Sequence, residues 1–158
     1  MTKISFTVLG KPRGKGRPRF FRGHAYTPPE TRDYEKRVKQ CYLMETGGHC
    51  FSGPVAVTVE AYFSIPKSWS KAKKAQAMKG EVMPGKPDID NIIKIVLDAL
   101  NGVAYDDDSH VIAISGRKSY TIEETSEGVY IRITSVEGEN WDGCAENASK
   151  SIWRDNES

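Results

Sequence analysis

Residues 86 to 111, KPDIDNIIKIVLDALNGVAYDDDSHV, place six aspartates among some of the most apolar residues of the chain. Asp88 and Asp90 stand on either side of Ile89, and Asp106, Asp107 and Asp108 form a run about 18 residues beyond Asp90. Carboxylates that converge repel one another unless positive charge sits between them. Oxygen ligands with no competing His/Cys set suit a hard cation, Mg²⁺ or Mn²⁺. Such an ion makes hydroxide from bound water and neutralises charge on a phosphate in flight. Lys94 lies about one helical turn beyond Asp90 and has two readings. It can neutralise a transition-state oxygen, or it can form an ordinary i,i+4 pair with Asp98.

The elements that must position these groups follow from spacing. Asn91, Lys94 and Asp98 are three and four residues apart and share a helix face, while Ile93, Val96, Leu97 and Leu100 lie mainly on the others. This predicts a largely buried helix from about Asn91 to Asn101, with Gly102 in the left-handed position that ends it. If the chain enters that helix extended, alternation aims Asp88 and Asp90 the same way. Asp90 is also a candidate cap, favoured by the helix dipole, but capping explains one aspartate and not two. By itself the run 106 to 108 reads as a solvated turn before a strand. The two acidic groups converge if the helix packs back on that strand.

Elsewhere, Ile4, Phe6 and Val8 alternate with Ser5 and Thr7 as in a half-buried strand. In TPPE, Thr27 can cap a helix with Pro28 at its first position and Glu30 completing a capping box. Tyr34, Val38, Cys41 and Tyr42 share a face of that helix, and Gly47 and Gly48 stop it. VAVTVEAYFSI, residues 55 to 65, alternates as cleanly as any segment. KSWSKAKKAQAMKG predicts a short basic helix opened by Ser68 or Ser70 and closed by Gly80. HVIAISGRKSY and GVYIRITSV predict two more strands joined by a turn around residues 125 to 128. No internal repeat is visible.

Charge is distributed unevenly. Residues 1 to 29 hold seven Lys or Arg and no acid, against 16 bases and 21 acids in the remainder. Such a cluster points to a polyanion, nucleic acid first. Within it KPRGKGRPRFFR carries Lys11, Arg13, Lys15, Arg17, Arg19 and Arg22, candidate phosphate contacts, and the surrounding GKPRGKGRPRFFRGHAY, residues 10 to 26, is too rich in Gly, Pro and Arg for a regular element. The interleaved Phe20, Phe21 and Tyr26 suit packing, base stacking or a wedge. Lys71, Lys73, Lys74 and Lys79 either extend the phosphate track or form a solvated helix face. GKPRGKG has neither the spacing nor the following Ser/Thr of a P-loop, so nucleotide use is unsupported.

The chain of 158 residues suits one domain with a real core. Its apolar runs fall short of the roughly 20 residues that cross a bilayer, and its start reads as a strand, not a signal peptide. Cys41, Cys50 and Cys144 lack CxxC spacing, which favours reduced thiols over disulfides or zinc. Residues 137 to 158, with six acids and two bases, read as a mobile acidic tail on a domain formed by residues 1 to 136, whose own net charge is +6.

Taken in order, the DxDN of residues 88 to 91, Lys94, the DAL of residues 98 to 100 and the DD-S-x-V of residues 107 to 111 resemble the signature of RusA-type Holliday junction resolvases. GKPRGKGRPRF, YTPPETRDYE and FSIPKSWS extend the resemblance over most of residues 3 to 135. It implies an α+β fold, a small mixed sheet of about four strands with two main helices packed on it, and a homodimer. It implies that Asp88, Asp90 and Asp108 are catalytic metal ligands, with Asp107 the alternative at the third position, and that Lys94 is the catalytic lysine. Asn91 and Asp98 fall on supporting positions. The implied activity is Mg²⁺-dependent, paired and symmetric hydrolysis of four-way DNA junctions in recombination and repair, in the cytoplasm of a bacterial or phage-infected cell. Two other readings stay open: a non-catalytic DNA-binding module, and a metal-dependent nuclease for other branched DNA or for RNA.

Overall fold

The computed structural model describes residues 2–136, and the acidic segment from 137 to 158 lies outside the described residues. An α+β domain results, with a four-stranded mixed sheet, three α-helices and a separate two-stranded ribbon. The strands are β1 (Lys3–Leu9), β2 (Arg19–Phe21), β3 (His24–Tyr26), β4 (Val55–Ser64), β5 (Val111–Thr121) and β6 (Gly128–Ser135). The helices are α1 (Pro29–Thr46), α2 (Lys71–Met78) and α3 (Ile89–Leu100).

The sheet runs β1-β6-β4-β5, with β6 antiparallel to both its neighbours and β4 parallel to β5. The segments β5 and β6 are consecutive in the chain, yet β4 lies between them, so the turn after β5 does not close a hairpin. A parallel pair needs a crossover, because a tight turn reverses direction. Here the crossover from β4 to β5 carries α2 and α3, and this puts the aspartate-bearing helix against the sheet.

One sheet face is apolar and covered. Phe6, Val8, Val57, Val59, Ala61, Val129, Ile131 and Ile133 are buried there with Tyr34, Val38 and Tyr42 of α1 and with Ile92, Ile95, Val96, Ala99 and Leu100 of α3. Phe6 meets Tyr42 edge to face at 5.4 Å between centroids. Burying each such side chain contributes on the order of 1.5–3 kcal/mol. The α2 helix sits beside β5, where Trp69 meets Tyr120 edge to face, and Ser70 caps it by accepting from the Lys73 amide at 3.2 Å.

Three local expectations need correction. Thr27 does not cap α1: the helix begins at Pro29 after Pro28, with no side-chain cap, and the first free amides reach the Pro28 carbonyl instead. Asp90 does not cap α3, which begins at Ile89 after Asp88; Asp90 is inside the first turn, so strand-like alternation does not relate the two carboxylates. The stretch 10 to 26 is not wholly irregular, since residues 19 to 26 form the β2–β3 ribbon. Gly47 does end α1, in the left-handed conformation with φ 67°.

Candidate active site and nucleic-acid interface

The third helix has the polar stripe its spacing predicts, with Asp90 and Lys94 exposed and Asp98 half-buried. Its buried face, however, is Ile92, Ile95, Val96, Ala99 and Leu100, and of the expected apolar set Ile93 and Leu97 are only partly buried. Its seat on the sheet is Gly116 of β5, where an added Cβ would stand 2.7 Å from the Ile93 Cδ1 and 3.3 Å from Ile89. A side chain at this position would have to displace the Ile93 and Ile89 side chains that fill the space.

Just before α3, Lys118 fixes the loop that leads into Asp88. Its ammonium donates to the carbonyls of Pro84 (3.2 Å), Gly85 (2.8 Å) and Pro87 (3.2 Å). In the parallel register, Ile114, Gly116, Lys118 and Tyr120 pair with Val57, Val59, Ala61 and Phe63, so Lys118 occupies the helix-facing side of β5. The signal for it was present in the sequence as a glycine and a lysine interrupting the inward register of a strand.

Asp88 is held below the ordinary carboxylate range first by its hydrogen bonds from Lys86, at 2.9 and 2.7 Å, with the charges of Lys86 and Lys118 adding to the effect. Asp108 is shifted the opposite way. It opens a short 3-10 turn (Asp108–His110) leading into β5, and burial, then the charges of Asp98 and Asp107, push its carboxyl up while Lys94 pulls it down. Asp107 lies below the ordinary range because the side chain and backbone of Ser109 hydrogen-bond to it. Lys94, Asp98 and Asp108 are therefore close enough to feel one another. The ion pair recorded for Asp98 is with Lys15 at 2.9 Å, not with Lys94.

Lys15 ties the basic loop to this helix. Its ammonium also pairs with Glu35 of α1, and its backbone N–H donates to the Asn91 carbonyl at 2.9 Å. Burial pulls the Lys15 ammonium down, but the hydrogen bonds and charges of Glu35 and Asp98 outweigh it and hold its pKa above the usual value. Gly14 allows the close approach: a Cβ there would stand 2.9 Å from Pro87 and 3.0 Å from Asn91. The loop's entry is held by Arg37, which donates to the Leu9 carbonyl, and by the Gly10 amide on the Glu127 carbonyl. Tyr34, raised to about 12 by burial, lies beneath it beside the backbone of Arg13. Lys11, Arg13, Arg17 and Arg19 then line an open groove of about 630 Å³ whose far wall is Lys86 and Pro87.

Of the expected site residues, the fold thus gathers Lys94, Asp98, Asp107 and Asp108 around the middle and end of α3 and sets Asp88, Asp90 and Asn91 at its start. Among the described residues, no three Asp, Glu, His or Cys side chains stand close enough to hold an ion by themselves. The donors are carboxylate oxygens, and a hard ion such as Mg²⁺ commonly takes one or two carboxylates with waters and substrate phosphates. Oxygen donors of this kind are the type a hard ion takes, but no complete set of them is assembled among the described residues.

A cationic loop is thus docked on a helix that presents carboxylates to solvent, within an α+β domain. The model of the endodeoxyribonuclease RusA family matches residues 10–134, most of the chain, and the protein belongs to that family. It is 38% identical over 143 residues to YqaN of Bacillus subtilis (strain 168), an uncharacterised protein; the match covers 86% of this chain and all of that one. Among the described residues no helix is long and apolar enough to cross a membrane.

Proposed function

We propose that this protein is a structure-selective endodeoxyribonuclease that resolves four-way DNA junctions by Mg²⁺-dependent, paired phosphodiester hydrolysis as a homodimer. The observation that carries the reading is continuity: the loop bearing Lys11, Arg13 and Arg17 rests through Gly14 on Pro87 and Asn91, and its groove reaches Lys86 and Pro87, immediately before Asp88. A phosphate backbone held along the groove is delivered to Asp88 and Asp90. The family match supports nuclease chemistry on DNA.

In this reading Asp88, Asp90 and Asp108, with Asp107 adjacent, would share Mg²⁺ or Mn²⁺ with substrate phosphates and waters, since no three of these carboxylates stand within reach of one ion by themselves. When bound, the ion supplies charge neutralisation for the phosphate and lowers the pKa of its water. Lys94, exposed on the stripe between Asp90 and Asp98, brings positive charge to a phosphate oxygen as charge develops there. Lys15, engaged by Glu35 and Asp98, orients the loop, and Asn91 holds it through its carbonyl. Lys11, Arg13, Arg17, Arg19 and Arg22 contact the backbone, which makes binding strongly salt-dependent. Lys73, over the Trp69 ring at 4.0 Å, and its neighbours Lys71 and Lys74 extend the contact surface.

The decisive experiment incubates the protein with a synthetic four-way junction, with Mg²⁺ or EDTA, beside Asp90→Asn and a linear duplex of matching sequence. Symmetric paired cuts that need both Mg²⁺ and Asp90, with a loss on the order of a hundred- to a thousandfold in the variant, are expected. Binding without cleavage in Mg²⁺ and Mn²⁺ would reduce the protein to a DNA-binding module. Preferred cleavage of flaps or RNA would reassign its substrate.

A further inference from the structure

The β2–β3 ribbon takes no part in the core. All six of its strand residues are exposed, and Phe20 and Phe21 are 75% and 65% accessible. Being adjacent in a strand, they point to opposite faces, so the ribbon offers an aromatic ring on each side. Its tip is preformed: Arg22 and Gly23 have φ of 49° and 80°, the left-handed pair of a two-residue hairpin turn whose twist matches its strands. The Arg22 guanidinium lies 5.3 Å from the Phe21 ring centroid. At its base the preceding loop is anchored through Lys15 and Gly14, and the following Pro28 is buried.

Two-stranded ribbons are marginal by themselves in water, and exposed rings add nothing to their stability. Their exposure is accounted for by a partner that has apolar faces and negative charge. Arg17, Arg19 and Arg22 flank the rings, and residues 1 to 29 contain no acid. A second copy of this chain would bring two such cationic segments together, which like charge disfavours. Unpaired bases meet both requirements: every base has a flat π-face, and each is joined to a phosphate. Among the described residues the carboxylate paired with the ribbon is Glu30, 3.9 Å from Arg19 at the ribbon's base.

We infer that the β2–β3 ribbon is a stacking element that inserts Phe20 and Phe21 against unstacked bases at a DNA branch point, with Arg19 and Arg22 on the flanking phosphates. This rests on the junction reading above and adds a recognition device to it: strand backbone is gripped by the loop, branching by the ribbon.

The test uses the full-length protein in EDTA, so that no strand is cut, with a four-way junction carrying 2-aminopurine at the branch point and the matching linear duplex. Wild-type protein is expected to change the emission of the branch-point base. Phe20→Ala with Phe21→Ala is expected to abolish that change and to weaken junction binding roughly five- to a hundredfold per ring lost. Duplex affinity, set by phosphate contacts, should move by less than about twofold. Phe20→Trp with Phe21→Trp should restore junction binding. Unchanged junction affinity and emission in the alanine variant, or an equal loss on junction and duplex, overturns the inference while leaving the nuclease reading intact. So does loss of self-association by sedimentation, which would assign the ribbon to a second copy. A wild-type protein that does not prefer the junction overturns both readings.

Discussion

The two ends of α3 carry the same residue type in opposite electrostatic situations. At the N-terminal end Asp88 is half-buried and already served by cations: Lys86 bonds it and the charge of Lys118 adds to the effect, and its carboxyl is held low. Near the C-terminal end Asp108 lies at the surface, but local desolvation and then the charges of Asp98 and Asp107 push its carboxyl up. Opposite shifts on chemically identical groups come from what surrounds them. Positive charge brought by a ligand therefore has most to neutralise near Asp108. A lysine from another element also braces each end, Lys118 through three backbone carbonyls and Lys15 through Asp98 and Glu35.

The comparison can be broken most severely at the seat of the helix. Gly116→Leu drives a side chain into Ile93 and Ile89, and overpacking of this kind costs about 1–3 kcal/mol. Urea unfolding should show the loss, and cleavage should fall further than stability because α3 shifts against β5. An unaltered midpoint would mean that the helix is not seated there.

Lys118→Met separates bracing from packing at the N-terminal end. It keeps the stem and removes three hydrogen bonds to carbonyls, a charged donor set worth about 1.5–3 kcal/mol. Amide exchange of residues 84 to 90 should accelerate, and the Asp88 carboxyl should titrate higher once the Lys118 charge is gone. Exchange identical to wild type would assign Lys118 no bracing role.

At the other end, Lys15→Met should cost about 1–3 kcal/mol at neutral pH, because it leaves Glu35 and Asp98 without their shared cation. The Lys15 pKa is raised in the folded protein above the ordinary lysine value of 10.5. Its contribution is thus complete below the unfolded pKa and is lost as pH rises through the folded one. The stability gap between wild type and variant should be level from neutral pH to about 10 and shrink above that. The salt dependence of DNA binding should be unchanged, whereas Arg17→Ala should lower the slope by about one. A slope reduced in Lys15→Met would place Lys15 on the phosphate instead.

Much of this site was legible in one dimension. The polar stripe of Lys94 and Asp98, the alternation of β4, the buried face of Tyr34, Val38 and Tyr42, and the glycine stop at Gly47 follow from periods of 3.6 and 2 and from steric limits on φ. The capping of α1 was misread because Thr27 fits the pattern, while the prolines after it place the first turn one residue later and leave the Pro28 carbonyl to take the free amides. The ribbon was hidden because Gly and Pro signal irregular chain; the two-residue turn at Arg22 and Gly23 is what pairs its short strands.

By itself, then, the sequence determined the elements that local geometry enforces, the aspartate set on and around α3, and the unbalanced positive charge of the first 29 residues. Tertiary structure decided which charges meet. Only in the fold does Lys15 leave the row of phosphate candidates to join Asp98 and Glu35, Lys118 reach across to the loop before Asp88, and β6 enter between β1 and β4. The physical reason is range: a hydrogen-bonding period acts over a few residues, whereas an ion pair or strand pairing depends on chain closure that brings distant segments together.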